Sequence, residues 1–172
     1  MAVILGASAD AKAFGIGADF GYSRILIEDG DDFSGFGGDL YLRPLPLPIV
    51  DPEIQLGLHH FGQDSGGVET SSTIWPVMAG ARVNLPIIPI FVAGHVGLLG
   101  NHFSADNKIL QTNVFSDTNW DFGFNIGGGF EFLDLTVVKL GISALYYVVP
   151  KNHDNTPDFN MFTVGLDGSL GF

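Results

Sequence analysis

The chain has 172 residues, no cysteine, 24 glycines and a formal charge of −12, from 19 acids against 7 lysines and arginines. That length fits one domain, the charge leaves no basic face for nucleic acid, and the missing cysteines remove disulfide and thiolate chemistry. Charged residues make up 15% and mean hydropathy is +0.30, yet no run of about 18 apolar residues offers a membrane-spanning helix.

The first stretch, MAVILGASADAKAFG, carries small-x-small triplets like those before a leader cleavage site, but lacks a basic start and a full apolar segment. It is read as a signal remnant or an added start over residues 1–12, followed by one domain over 13–172. From Phe14 onward, apolar residues recur at every second position, the period of a strand with two unlike faces. The first segment sets Phe14, Ile16, Ala18, Phe20 and Tyr22 against Gly15, Gly17, Asp19, Gly21 and Ser23. The second runs from about Phe33 to Arg43, with Asp39 and Arg43 on the less apolar face, and the third sets Ile54, Leu56 and Leu58 against Gln55, Gly57 and His59. The fourth sets Trp75, Val77, Ala79, Ala81 and Val83 against Met78, Gly80, Arg82 and Asn84. The fifth sets Ile90, Val92, Val96 and Leu98 against Ala93, His95 and Gly97. The sixth, WDFGFNIGGGFEF, is the cleanest, with Trp120 to Phe132 on even positions opposite Asp121 to Glu131. The seventh opposes Val138, Leu140, Ile142, Ala144, Tyr146 and Val148 to Lys139, Gly141, Ser143 and Tyr147, and the eighth begins near Phe159 and ends at Phe172.

Connections alternate between long polar or acidic loops, such as Gly100 to Thr118, and short apolar or proline-bearing turns such as LPIIP. That alternation predicts an all-β, eight-stranded antiparallel up-and-down meander closed into a barrel, which removes exposed sheet edges. The less apolar face is mostly Gly, Ser and Asn, a poor surface for water, so the apolar face is expected to meet lipid and the small and charged residues to fill the narrow inside. Tyr22, Trp75, Trp120, Phe132, Tyr146 and Phe172 all have outward parity near strand ends, where aromatic belts form at membrane interfaces.

The segments FGFNIGGGFEF, IFVAGHVGLLG and VGLDGSLGF resemble the small outer-membrane barrels of Gram-negative bacteria, the OmpA-type transmembrane domain and its relatives, from about Phe14 to Phe172. In that family the last strand ends in an aromatic residue preceded by alternating apolar residues, a pattern read by the barrel-assembly machinery. Val164, Leu166, Leu170 and Phe172 match it, and Gly168 departs from it. The resemblance implies an outer-membrane protein with extracellular loops and periplasmic termini. Its expected partners are membrane lipid and lipopolysaccharide, the assembly machinery and periplasmic chaperones, with a monomeric state.

Parity places Arg43, Arg82 and Lys139 inside with Asp19, Asp39, Asp121, Glu131 and Asp167. Charges in a narrow, partly dry interior need partners, so a salt-bridge network filling a closed polar lumen is expected. A cation-biased narrow channel is the alternative. A lipid-modifying enzyme would need a nucleophile, a base and an orienting group together; His59, His60, Ser65, Ser71 and Ser72 show no such set by spacing, and no catalytic residue or cofactor is assigned. Glu28, Asp29, Asp31 and Asp32 in the first loop are weak candidates for Ca²⁺ or Mg²⁺, set against a solvated anionic surface. Binding of a surface partner through the acidic loops is a further alternative.

Overall fold

The computed structural model describes residues 14–27, 32–45, 47, 49–65, 68–85, 87–107, 112–135, 137–150 and 159–172. The proposed boundary at 12/13 lies outside these residues. The strands are β1 (Gly15–Ile27), β2 (Phe33–Arg43), β3 (Val50–Ser65), β4 (Val68–Asn84), β5 (Ile90–Asn107), β6 (Thr112–Asp134), β7 (Val138–Val149) and β8 (Phe159–Gly171). Each pairs antiparallel with the next, and β1 pairs with β8 from Gly15↔Gly171 to Ile27↔Phe159, which closes the barrel. No helix occurs among the described residues.

The alternation read from the sequence sets the two faces in every strand. Phe20, Phe36, Leu58, Val96, Phe122, Ile126, Ile142 and Leu166 are exposed on the outside, while the intervening positions are buried. Apolar exposure on this scale needs a non-aqueous surround. Along β6, 12 residues separate outward Trp120 from Phe132; at about 3.3 Å per residue and about 45° of tilt this spans roughly 28 Å, close to the apolar band of such barrels.

The structure corrects the predicted loops. Gly100 to Thr118 is not one long loop: β5 continues to Asn107 and β6 begins at Thr112, so most of it is paired strand. Likewise Gly62 to Thr70 lies largely in β3 and β4, and Ser71 and Ser72 are strand residues. β3 to β6 therefore rise beyond their neighbours as a four-stranded projecting sheet, because β2 pairs with β3 only as far as Gly35↔Phe61 and β7 with β6 only as far as Phe124↔Val148. Register shifts interrupt the ladders at Ala105/Asp106 in the β5/β6 pair and, at the turn end, at Glu131/Leu133 in the β6/β7 pair.

Candidate functional site in the barrel lumen

The inward residues sort into layers along the barrel axis. Nearest the turns, Arg82 of β4 bonds Glu131 of β6 and reaches Asp167 of β8 at 3.3 Å. Lys139 of β7 closes the group at 2.9 Å from Glu131 and 3.2 Å from Asp134. The guanidinium of Arg82 also lies 3.4 Å from the centre of the Phe91 ring, which shields the charge from bulk water. A cavity of about 50 Å³ opens toward the turns between Arg43, Asp51, Arg82, Asn84, Glu131 and Lys139.

A continuous chain of hydrogen bonds fills the middle. Arg43 donates to Glu53 at 2.6 Å, and the other Glu53 oxygen lies 3.0 Å from His95 Nε2. His95 Nδ1 meets Asn125 at 2.8 Å, Asn125 donates to Gln55 at 2.8 Å, and Gln55 donates to the Tyr147 hydroxyl at 2.5 Å. Tyr147 in turn donates to Asp39 at 2.9 Å. Tyr41 donates to Asp19 at 2.6 Å, and the second Asp19 oxygen accepts the Asp39 backbone N–H. Most links join strands that are not neighbours, Glu53 of β3 to His95 of β5, Asn125 of β6 to Gln55 of β3, Gln55 to Tyr147 of β7 and Tyr147 to Asp39 of β2, so the network cross-braces the barrel.

Arg82, Glu131, Lys139 and Asp167 come together as ion pairs, but Arg43 pairs with Glu53, an acid left out of the expected set. Asp19 and Asp39 meet no lysine or arginine among the described residues and are held by tyrosine hydroxyls and a backbone amide. Asp121 faces inward and is buried. Glu53, Gln55, His95, Asn125, Tyr41 and Tyr147 all had the right parity, but only the register between strands brings them into contact.

The lumen is also not polar throughout. Toward the loops, Ile25, Phe61, Ile74, Leu99, Val149, Phe159 and Met161 pack into an apolar cluster, none more than 7% exposed. His59 sits below this layer rather than at the rim, bonded through Nδ1 to Ser23 at 3.0 Å, with Nε2 3.4 Å from Asp39. Ser23, His59 and Asp39 thus assemble the three residue types of a nucleophilic triad, at 0%, 1% and 3% exposure. Two glycines make room for it. A Cβ at Gly37 would lie 2.6 Å from His59 Cγ, and one at Gly57 would lie 2.6 Å from Pro76 Cγ and press on the Asp39 carboxylate.

Apolar outside, with ion pairs and hydrogen bonds across its interior, this is a small membrane barrel. A model of the family described as outer membrane protein beta-barrel domain matches residues 1–169. The chain belongs to that family. Among solved structures, neisserial surface protein A superposes with a TM-score of 0.64 at 15% identity, covering 94% of this chain and 99% of that one. Ail, the attachment invasion locus protein of Yersinia pestis, solved with the heparin analogue sucrose octasulfate, superposes with a TM-score of 0.62 at 15% identity over 92% and 97%. At such identity the likeness is one of fold. No curated protein matches the chain. Membership puts this barrel in the bacterial outer membrane, with the eight-stranded antiparallel architecture its alternation predicts.

The other predicted residues fall as follows. Tyr22, Trp120 and Phe132 are exposed outward, and Trp75 and Tyr146 are half-buried on the same outer face. Val164, Leu166, Leu170 and Phe172 line the outside of β8, with Phe172 exchanging backbone bonds with Phe14 at 2.8 and 3.2 Å. Of the acidic loop set, Glu28, Asp29 and Asp31 lie outside the described residues, and Asp32 is engaged by Arg24 at 2.7 Å. No group of three potential metal ligands converges among the described residues.

Proposed function

We propose that this barrel serves as a closed structural anchor in the outer membrane, with its loops outside and its termini in the periplasm. The observation that carries the reading is the apolar cluster of Ile25, Phe61, Ile74, Leu99, Val149, Phe159 and Met161, which fills much of the lumen toward the loops with hydrocarbon. A hydrated ion entering from the turns would meet a space of only about 10 Å³ beside Arg43, Glu53, Arg82 and Asp167, then the hydrogen-bonded middle layer, and then the apolar cluster. Planar-bilayer recording tests this reading. The barrel should give no stable unitary current, and currents that vanish when the lumen is blocked would favour the cation-biased channel instead.

The orientation rests on polar, projecting strands at one end and apolar turns at the other, where Leu45, Leu47, Ile87, Ile88 and Leu135 are exposed. Membrane lipid, the assembly machinery acting through Val164, Leu166, Leu170 and Phe172, and periplasmic chaperones remain its proposed partners, with a monomeric state. Burial argues against catalysis by Ser23, His59 and Asp39, because no substrate bond comes within reach of the Ser23 oxygen without opening the barrel. Mass spectrometry of lipid A with and without the protein should therefore find no modified species.

A second reading follows from the projecting sheet. Above Phe124 the β7-facing edge of β6 has no strand partner among the described residues, and a free edge is a surface on which an extended segment of another protein can pair. Surface binding and anchoring are compatible roles for one barrel.

A further inference from the structure

At the turn end the lumen opens through a mouth whose charges do not balance. The cations among its described residues, Arg43, Arg82 and Lys139, are each engaged by a carboxylate: Arg43 by Glu53, Arg82 by Glu131 and Asp167, and Lys139 by Glu131 and Asp134. Asp51 has no such partner. It faces Arg82 across the β3/β4 ladder, yet the guanidinium is drawn toward β6 and β8. One Asp51 oxygen accepts from the Asn84 side-chain amide at 2.7 Å, and the other meets no donor among the described residues. Asp51 is 8% exposed, and a carboxylate held this far from water without a cation is costly.

Space lies beside this carboxylate. The cavity of about 50 Å³ at this end is lined by Asp51 and Asn84, and a second of about 300 Å³ adjoins it, the two sharing Asn84, Glu131 and Lys139. The apolar lining of the larger cavity comes from the turn between β4 and β5, with Leu85, Ile87 and Ile88. That turn is held in place: the Leu85 N–H donates to the Ile90 carbonyl at 3.0 Å, and the Pro89 carbonyl accepts the Glu131 N–H of β6 at 2.7 Å. The mouth is thus a formed pocket with an uncompensated acid on one side and hydrocarbon on another, which fits a cation with an apolar tail. A divalent metal ion takes several oxygen ligands, and no three acidic or histidine side chains converge among the described residues. An ammonium group donates three hydrogen bonds from one atom. Asp51 has an oxygen free to accept one, and the Asn84 carbonyl, which accepts from Arg82 Nε at 3.0 Å, keeps a second lone pair for another.

We infer that this mouth binds a primary alkylammonium ion, with its head against Asp51 and Asn84 and its carbon chain along Ile87 and Ile88. Arg82 and Lys139 do not repel it decisively, because Glu53, Glu131, Asp134, Asp167 and Asp51 outnumber the cations of this end. The hydrogen-bonded middle layer from Glu53 to Tyr147 closes the far side, so the ion enters and leaves by the turn end and does not cross the barrel. Binding supplies the cation that Asp51 lacks and links β3 to the turn between β4 and β5. The site is the same whichever end of the barrel faces the periplasm.

The probe is n-butylammonium, added at neutral pH to the folded barrel in maltoside micelles while the Asn84 side-chain amide is followed by NMR. Tetramethylammonium, which has no N–H, magnesium and butyrate are the comparison ions. The expected result is a saturable shift of that amide with n-butylammonium alone. Binding should weaken at least about tenfold in Asp51→Asn, which removes the charge and keeps the shape. Ile88→Ser should weaken n-butylammonium about threefold and leave methylammonium unchanged. Folding of both variants is checked by heat-modified electrophoretic mobility. The inference is overturned by the lack of a saturable shift, by an equal response to tetramethylammonium or magnesium, or by undiminished n-butylammonium affinity in folded Asp51→Asn or Ile88→Ser. The comparison of ions uses the unaltered barrel, so it remains decisive even if a variant fails to fold.

Discussion

Ile142 and Phe124 illustrate what a single outward position does. Both are exposed to the lipid side near mid-strand, so Ile142→Arg or Phe124→Arg should lower stability by about 2 to 4 kcal/mol in denaturant titrations in lipid vesicles. Ser104→Arg, on the projecting part of β5 beyond Trp75 and Trp120, should cost under about 1 kcal/mol by the same measurement. Inside the barrel the decisive residue is Arg82, because removing it leaves Glu131 and Asp167 buried without their cation. Arg82→Met should cost about 3 to 5 kcal/mol, whereas Arg24→Gln, which breaks the surface pair with Asp32, should cost about 1 kcal/mol or less. Gly37→Ala forces a methyl into the His59 ring and should cost about 1 to 3 kcal/mol, read as a lower thermal midpoint. If Gly37→Ala is neutral, the tight fit of that ring is not a structural requirement.

At the scale of the strand, legibility depended on which solvent each face meets. The membrane-spanning stretches of β1, β6, β7 and β8 could be assigned residue by residue, because lipid on one side and a polar lumen on the other impose a strict period of two. The projecting parts of β3 to β6 could not. At Ser71, Thr73, Ser104 and Ser116 the outer face meets headgroup or water instead of hydrocarbon, apolar alternation disappears, and the stretch reads as loop. The inward apolar residues Ile25, Phe61, Ile74 and Leu99 were hidden for a related reason: where both faces of a strand are apolar, parity no longer separates lipid from core. The Arg43–Glu53–His95 contact depends on register across four strands, which no single strand encodes. Since the β5/β6 projection pairs with neighbouring strands of the same sheet beyond the closed part of the barrel, excising residues 103–116 and rejoining the strands through a short glycine turn should leave the barrel's thermal midpoint nearly unchanged. A large drop would mean that the projection braces the barrel.

For the whole molecule, ion-paired and polar residues line the lumen toward the turns and an apolar cluster lies toward the loops, which predicts a wet half and a dry half. The absence of cysteine makes this division directly measurable. A cysteine introduced at Asn84, beside the cavity at the turns, should react with a water-soluble thiol reagent, and one introduced at Ile74 should stay unreacted in the folded barrel. Reaction at Ile74 at a rate within about tenfold of that at Asn84 would refute the seal and with it the closed-lumen reading.

The pairing of Trp75 and Trp120 in one row at the loop end has a kinetic consequence. A barrel that folds into a vesicle from outside, leading with its loops, must carry that row through the entire hydrocarbon layer before the strands close. Tryptophan emission should therefore turn first blue, as the indoles enter the bilayer, and then partly red, as they emerge at the far interface. Brominated lipids labelled at different depths would time the passage, so the two indoles act as a clock for the last step of membrane crossing.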